Sequence, residues 1–296
     1  MLLSALIIIN DFRALVPAAF LTFSWIPFAT LAVGYSSAKS LVPRKIYLSV
    51  DNLLYSLYLR TCLFIFGTVS AVTVSLHGDI EALSRSRESA IILCNHQSDT
   101  DWIIICGLAS RQQEGEHMIR MMTKDVMKYL PMFGWYIFMR GFVYVRRFGN
   151  FLVKPVADQL AYLRKLGEPY WLVIFPEGTR FSARKLAAIA ESKRFCEDYG
   201  VEAFKSVLFP RTKGCCLALD LLRPSLDAVY DVTIAYGQSR EEDCKRCAPN
   251  MFEFVCGRNP YRYLQVHVKR FSVSEIPSDN HKLRKWLISR YQTKDK

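Results

Sequence analysis

His96 and Asp101 are separated by four residues in "NHQSDTD", Asn95 to Asp101. A carboxylate on one ring nitrogen of an imidazole fixes its tautomer and leaves the other nitrogen as a base. On a straight helix this spacing would put the two side chains on different faces. They meet only where the chain turns. The packet has such a place, because it follows the apolar run "AIILC" and precedes "WIIICGLA". This reads as a buried strand, an exit turn and a helix, with Ser98 or Asp99 as the helix cap. In α/β sheets, ligand chemistry is placed at such junctions. The dyad can deprotonate a hydroxyl, and it needs no serine when the substrate brings both hydroxyl and activated acyl group. Two other readings stand beside it: plain turn chemistry with Asp99 or Asp101 as a cap, and part of a metal set from His96, Asp99 and Asp101. The metal set lacks a second His-rich stretch.

The cations come next. "YWLVIFPEGTRFS" has the same grammar, a strand and an exit loop containing Glu177, Gly178, Thr179 and Arg180. Gly178 lets backbone approach a ligand, and Arg180 offers a planar fork to phosphate. Glu177 either holds that arginine or contacts a substrate hydroxyl. "RGFVYVRRF" ends a strand with Arg146 and Arg147, which alternate faces so that one of them faces the site. Lys124 precedes Pro131 and Gly134 in "TKDVMKYLPMFGW"; a lone lysine there reads first as a solvated basic face. Pro210 in "LFPRTKG" shapes a groove or merely stops a strand. Together these residues amount to a base, its orienting acid and several phosphate-sized cations at strand exits.

The elements that must position them are short. "AIILC", "GFVYV", "YWLVIF", "SVLF", "VYDVTIAY" and "YLQVHV" read as strands. Helices are expected over Trp102–Arg111, Val153–Leu166 and Lys185–Tyr199, the last capped by Gly200. The alternation predicts an α/β domain with a mixed, largely parallel sheet flanked by helices. "SREEDCKRCAPN" reads as a loop insertion, and the tail "SDNHKLRKWLISRYQTKDK" as a short basic helix with a frayed end.

The chain has 296 residues, 51% hydrophobic, and a formal net charge of +12. A basic surface attracts polyanions, but no nucleic-acid-reading motif is present. Nine scattered cysteines, an odd number, fit a reducing compartment. Cys244, Cys247 and Cys256 read as ordinary thiols in a loop, since no second ligand pair follows at zinc spacing.

Ala14 to Ala38 is 25 residues without a charge, and about 20 apolar residues cross a bilayer core. Pro17 and Pro27 should kink it. Leu53 to Leu76, broken by Arg60, reads as a partner helix, a shallow re-entrant segment or an interfacial helix. Residues 1–76 are thus expected to anchor to a membrane, and residues 77–296 to form the catalytic domain. If the first run crosses once, Lys39, Arg44 and Lys45 place the rest in the cytosol; if both runs cross, the facing reverses.

"NHQSDTD", "GFVYVRR", "FPEGTR" and "LFPRTKG" resemble, in order, the four blocks of the glycerolipid acyltransferases. The chain is most similar to 1-acylglycerol-3-phosphate acyltransferases of the epsilon type, with "WLVIFPEGTRF" and "AVYDVTIAY" adding to the likeness. The resemblance implies acyl transfer from acyl-CoA, as co-substrate and without metal or cofactor, to the sn-2 hydroxyl of lysophosphatidic acid, giving phosphatidic acid. His96 would be the base, Asp101 its partner, and backbone N–H groups near the first block the oxyanion donors. Arg147, Glu177, Gly178, Thr179 and Arg180 would hold the glycerol phosphate, and Lys124 matches a phosphate-contacting lysine. Arg146 departs from the acid common among relatives. The expected setting is the endoplasmic reticulum membrane, or the mitochondrial outer membrane. Lysophosphatidylinositol or monolysocardiolipin as acceptor, and a non-catalytic tether for anionic lipid, are the rival readings. Epsilon-type relatives also extend past Lys296 with further apolar segments, so this chain reads as a short form.

Overall fold

The computed structural model describes residues 2–69, 72–84, 87–112, 115–146, 151–237, 248–255 and 263–296. Arg147, Cys244, Cys247 and Cys256 lie outside them. Two helices come first, α1 (Leu2–Ser37) and α2 (Arg44–Phe64). Then follow β1 (Thr73–Gly78), β2 (Ala90–Cys94), α3 (Asp101–Ala109), β3 (Ile119–Lys124), α4 (Phe133–Met139), β4 (Val143–Val145), α5 (Val153–Lys165) and β5 (Trp171–Ile174). The remainder is α6 (Leu186–Asp198), α7 (Thr212–Leu222), β6 (Ala228–Gly237), α8 (Met251–Val255), β7 (Tyr263–Ser272) and α9 (Asn280–Asp295).

The strands form one sheet in the order β1-β7-β6-β2-β5-β3-β4. Among the described residues only the β6–β7 pair is antiparallel. The sheet is therefore mixed and largely parallel, as the alternation of apolar runs implied. All five residues of β2 are buried, because helices cover both faces. Ile92 and Cys94 pack into the core under α2 and α3. Ile91 and Leu93 point the other way, into the core with α5, α7 and α9.

Several expectations change. "SVLF" is not a strand; residues 201–211 run as irregular chain. β1 and β3 were not foreseen. The second apolar run divides into the end of α2, a π-helical turn at Ile65–Val69 and β1, so β1 straddles the expected division at 76/77. β1 is largely exposed and alternates Val74 and Leu76 with Ser75 and His77, so its apolar text blends with the preceding helix. β4 ends at Val145, so Arg146 follows the strand; the expectation that Arg146 and Arg147 alternate faces reaches outside the described residues. Gly200 does close α6, at φ 63°. Among the described residues no helix is long and apolar enough to cross a membrane; the expected membrane-spanning motif has no support there.

α2 is tied to the domain by buried charge. Arg140 pairs with Asp51, and its guanidinium lies 4.2 Å over the ring of Tyr55. It also donates to the His117 carbonyl at 2.9 Å, while the Tyr136 hydroxyl donates to Asp51 at 3.1 Å. Removing one partner of such a pair strands the other charge in the interior. Asp51→Ala should therefore cost about 3–5 kcal/mol in denaturant unfolding, and an unchanged midpoint would show that α2 is not clamped this way.

Candidate active site

The parallel register sets the site. Leu93 on β2 lies opposite Ile174 on β5, so His96 and Glu177, each three residues further, leave the sheet at one level. Met121 on β3 lies opposite Val173, and Lys124 opposite Val145 on β4. Lys124 therefore ends β3 and Arg146 follows β4 on that same edge, and Lys124 is exposed there.

Asp101 opens α3 and is fully buried. Its Oδ2 accepts from His96 Nδ1 at 2.9 Å, from the Gln97 N–H at 2.8 Å and from the Ser98 N–H at 3.0 Å. Its Oδ1 accepts from the Tyr236 hydroxyl at 2.7 Å. Four donors converge on one carboxyl group, an arrangement suited to an acceptor-only carboxylate. Nδ1 therefore carries the imidazole proton and Nε2 the lone pair. The ring stacks on Phe175 with centroids 4.4 Å apart, and the side chain stays 23% exposed. Among the described residues Nε2 has no protein partner.

This geometry corrects the expected capping. The N-cap of α3 is Thr100, whose side chain makes no capping hydrogen bond, and the Asp101 carboxylate instead draws the preceding turn around itself. Four amides near the first block are already engaged. The amides of Gln97 and Ser98 are committed to Asp101, that of His96 to Glu177 at 2.8 Å, and that of Thr100 to Ser98 Oγ at 3.1 Å.

Glu177 is buried and, among the described residues, does not hold Arg180, the first of its two expected roles. Its two oxygens accept the N–H groups of His96 at 2.8 Å and Leu208 at 3.0 Å. Burial pushes its carboxyl up to about 8, against the downward pull of those two amides. Gly178 sits beside it at φ 67°, where a Cβ would come within 3.2 Å of Arg211 Cδ.

Arg180 pairs instead with Asp99, both partly exposed. That pairing takes Asp99 out of any shared set with His96 and Asp101. Among the described residues no group of three His, Cys, Asp or Glu could hold a metal ion. The Phe181 N–H donates to the His96 carbonyl at 2.7 Å, which brings Arg180 beside the base. Thr179 Oγ1 receives Lys185 Nζ at 3.4 Å. Pro210 is buried, and the N–H of the next residue, Arg211, donates to Pro176 at 2.8 Å.

Three residues of the site escaped sequence reasoning. Tyr236 reaches Asp101 from β6, and Asn95 bridges to Ile234 by bonds of 2.8 and 2.9 Å. Phe175 supplies the stacking face. Only alternation within "VYDVTIAY" hints at an inward Tyr236; nothing local ties it to Asp101.

Fold and site together present an α/β domain with a carboxylate-bound imidazole at the sheet edge. The profile of the Acyltransferase family matches residues 73–212, and that of the acyltransferase C-terminus matches 253–296. The chain is 35% identical to the 1-acyl-sn-glycerol-3-phosphate acyltransferase epsilon of Mus musculus, over all of this chain and 80% of that one. It is 29% identical to a probable 1-acyl-sn-glycerol-3-phosphate acyltransferase 5 of Arabidopsis thaliana, over 78% of this chain and 58% of that one. It is also 29% identical to lysocardiolipin acyltransferase 1 of Danio rerio, over 71% and 51%. The structure of the 1-acyl-sn-glycerophosphate acyltransferase PlsC of Thermotoga maritima superposes with a TM-score of 0.54 at 15% identity, over 97% of this chain and 98% of that one; this likeness is one of fold. The chain belongs to the 1-acyl-sn-glycerol-3-phosphate acyltransferase family.

Glu177 makes stability depend on pH. Between the ordinary carboxyl value of 4.5 and about 8, the folded chain keeps a proton that the unfolded chain has released. Raising pH through that window therefore disfavours folding. Glu177→Gln turns an amide donor toward a backbone N–H and should cost about 1–3 kcal/mol. Its stability deficit relative to wild type should narrow from pH 5 to pH 8 in thermal melts; a deficit independent of pH would refute the assignment.

Proposed function

We propose that the chain transfers a fatty acyl group from acyl-CoA to the sn-2 hydroxyl of lysophosphatidic acid, giving phosphatidic acid and free CoA. The observation that carries this reading is the His96 imidazole, tied at Nδ1 to Asp101 while Nε2 stays open at the sheet edge. Nε2 takes the hydroxyl proton as the acceptor oxygen attacks the thioester carbonyl carbon. Asp101 stabilises the imidazolium. The tetrahedral intermediate then expels the CoA sulfur, which takes that proton as the carbon–sulfur bond breaks.

Arg180 exchanges Asp99 for the acceptor phosphate. An exposed ion pair is worth only about 0–1 kcal/mol, so the exchange is cheap. Lys124 and Arg146 add charge at the same edge, and Arg147 joins them by its place in the second block. A cleft of about 200 Å³ beside α3, lined among others by Leu63, Phe66, Ile103, Ile104 and Phe254, has the apolar walls an acyl chain requires. It starts within one turn of Asp101.

A membrane supplies both acyl-bearing partners. Phe20, Phe23 and Leu31 on α1 are exposed. So are Leu53, Leu57 and Phe64 on α2, and Val126, Tyr129, Trp135 and Phe138 around α4. Thr30 on α1 touches Met132 just before α4, which makes these surfaces neighbours. This apolar face, with basic side chains around it, supports seating at an anionic lipid interface. We place that interface on the endoplasmic reticulum, with the mitochondrial outer membrane as the other setting. The likeness to a lysocardiolipin acyltransferase keeps a second lysophospholipid acceptor in view.

Purified protein should release free CoA only when a lysolipid is added, most efficiently lysophosphatidic acid among a panel. His96→Ala, folded by circular dichroism, should lose at least about 10²-fold in rate. Arg180→Ala should mainly raise the KM for the acceptor. Full transfer by His96→Ala would sink the base assignment, and equal use of uncharged acceptors would sink the phosphate clamp.

A further inference from the structure

The C-terminal helix comes closer to the base than its sequence suggests. Its text is basic and polar, yet Tyr291, Lys294 and Asp295 project from one turn toward the site edge of the sheet. Lys294 has a side chain only 1% exposed and lies 2.6 Å from the buried carboxylate of Asp231 on β6. Its ammonium donates to the Leu93 carbonyl at 3.3 Å, to the Val232 carbonyl, and to Thr233 Oγ1 at 3.4 Å. The Tyr291 hydroxyl donates to the Cys94 carbonyl at 3.3 Å. β2 pairs with β5 up to Leu93 and with β6 up to Cys94. The helix thus supplies donors where the ladder runs out, two and three residues before His96.

The same turn also reaches the other support of the base. The Asp295 carboxylate accepts the N–H groups of Lys205 at 2.8 Å and Ser206 at 2.6 Å. Two residues on, the Leu208 N–H holds Glu177, which holds the His96 N–H. The backbone entering His96 and the carboxylate gripping its amide are therefore both pinned to one helical turn.

We propose that Lys294, with Tyr291, is a positioning residue for the His96 base, acting through the main chain at the ends of β2 and β6. This rests on the reading of His96 as the general base. A purely stabilising role would make Lys294 and Asp231 dispensable as a pair, because a buried ion pair is replaceable by apolar side chains without loss of stability. A positioning role would not, because the carbonyls of Leu93 and Val232 would lose the donor that fixes them, and a small displacement of a catalytic group lowers turnover steeply.

The test compares the full chain with Lys294→Met, with Asp231→Leu/Lys294→Met and with Tyr291→Phe, reading melting temperature, kcat and both KM values. Lys294→Met should lower the melting temperature by leaving Asp231 unpaired. The double variant should recover it, while kcat stays at least about tenfold below wild type with both KM values unchanged. Recovery of kcat together with melting temperature would overturn the proposal. Should the double variant not fold, Tyr291→Phe decides: a severalfold fall in kcat at constant KM supports positioning, and an unchanged kcat overturns it. Wild-type protein without acyl transfer would instead sink the functional reading itself.

Discussion

A single carboxylate, that of Asp101, organises the catalytic edge. Buried away from water, it needs donors, and the chain provides four from three directions. Two are amides of the turn preceding its own helix, so the turn is bent around the anion. One is the imidazole, and one is a tyrosine from the neighbouring strand. Each donor satisfies a charge that would be costly to leave bare. The orientation of the imidazole is thus a consequence of solvating Asp101 without water.

Glu177 stands across the same turn in an opposite environment. Among the described residues it has two amide donors and no cation in contact, and burial drives its carboxyl up to about 8. Its work is on the main chain: it joins the exit of β2 to the irregular segment 201–211, which no strand ladder could reach. Asp101 fixes the ring and Glu177 fixes the backbone that bears it. Arg180 is left to Asp99 at the surface, where a ligand can compete for it.

The periphery follows the same rule of buried charge met by buried charge. Asp51 and Arg140 lock α2 against α4, and Glu88 and Arg270 join the chain before β2 to β7. In contrast, α1, α2 and the segment around α4 leave large apolar side chains uncovered. Charge pairs brace the interior while one flank presents hydrocarbon outward, a division of surface that suits an enzyme of amphipathic substrates.

Much of this was written into the sequence. The five-residue apolar run of β2, the helical spacing in α5 and the glycine ending α6 report their own conformations, because each depends on neighbours a few residues away. The partnership of His96 with Asp101 was legible for the same reason: a five-residue separation closes at a turn. The short strand β3 and the exposed strand β1 were hidden, since their pairing partners lie far along the chain and their own apolar text is brief. The role of Glu177 was misread because an acidic residue beside an arginine looks like its partner. Burial decided otherwise, and burial is a property of the packed molecule. Tyr236 on Asp101 and Lys294 under β2 were invisible for that reason too. Local text fixes which way a segment folds, but which distant donor reaches a buried acceptor is settled only when the sheet brings its strand ends to one edge.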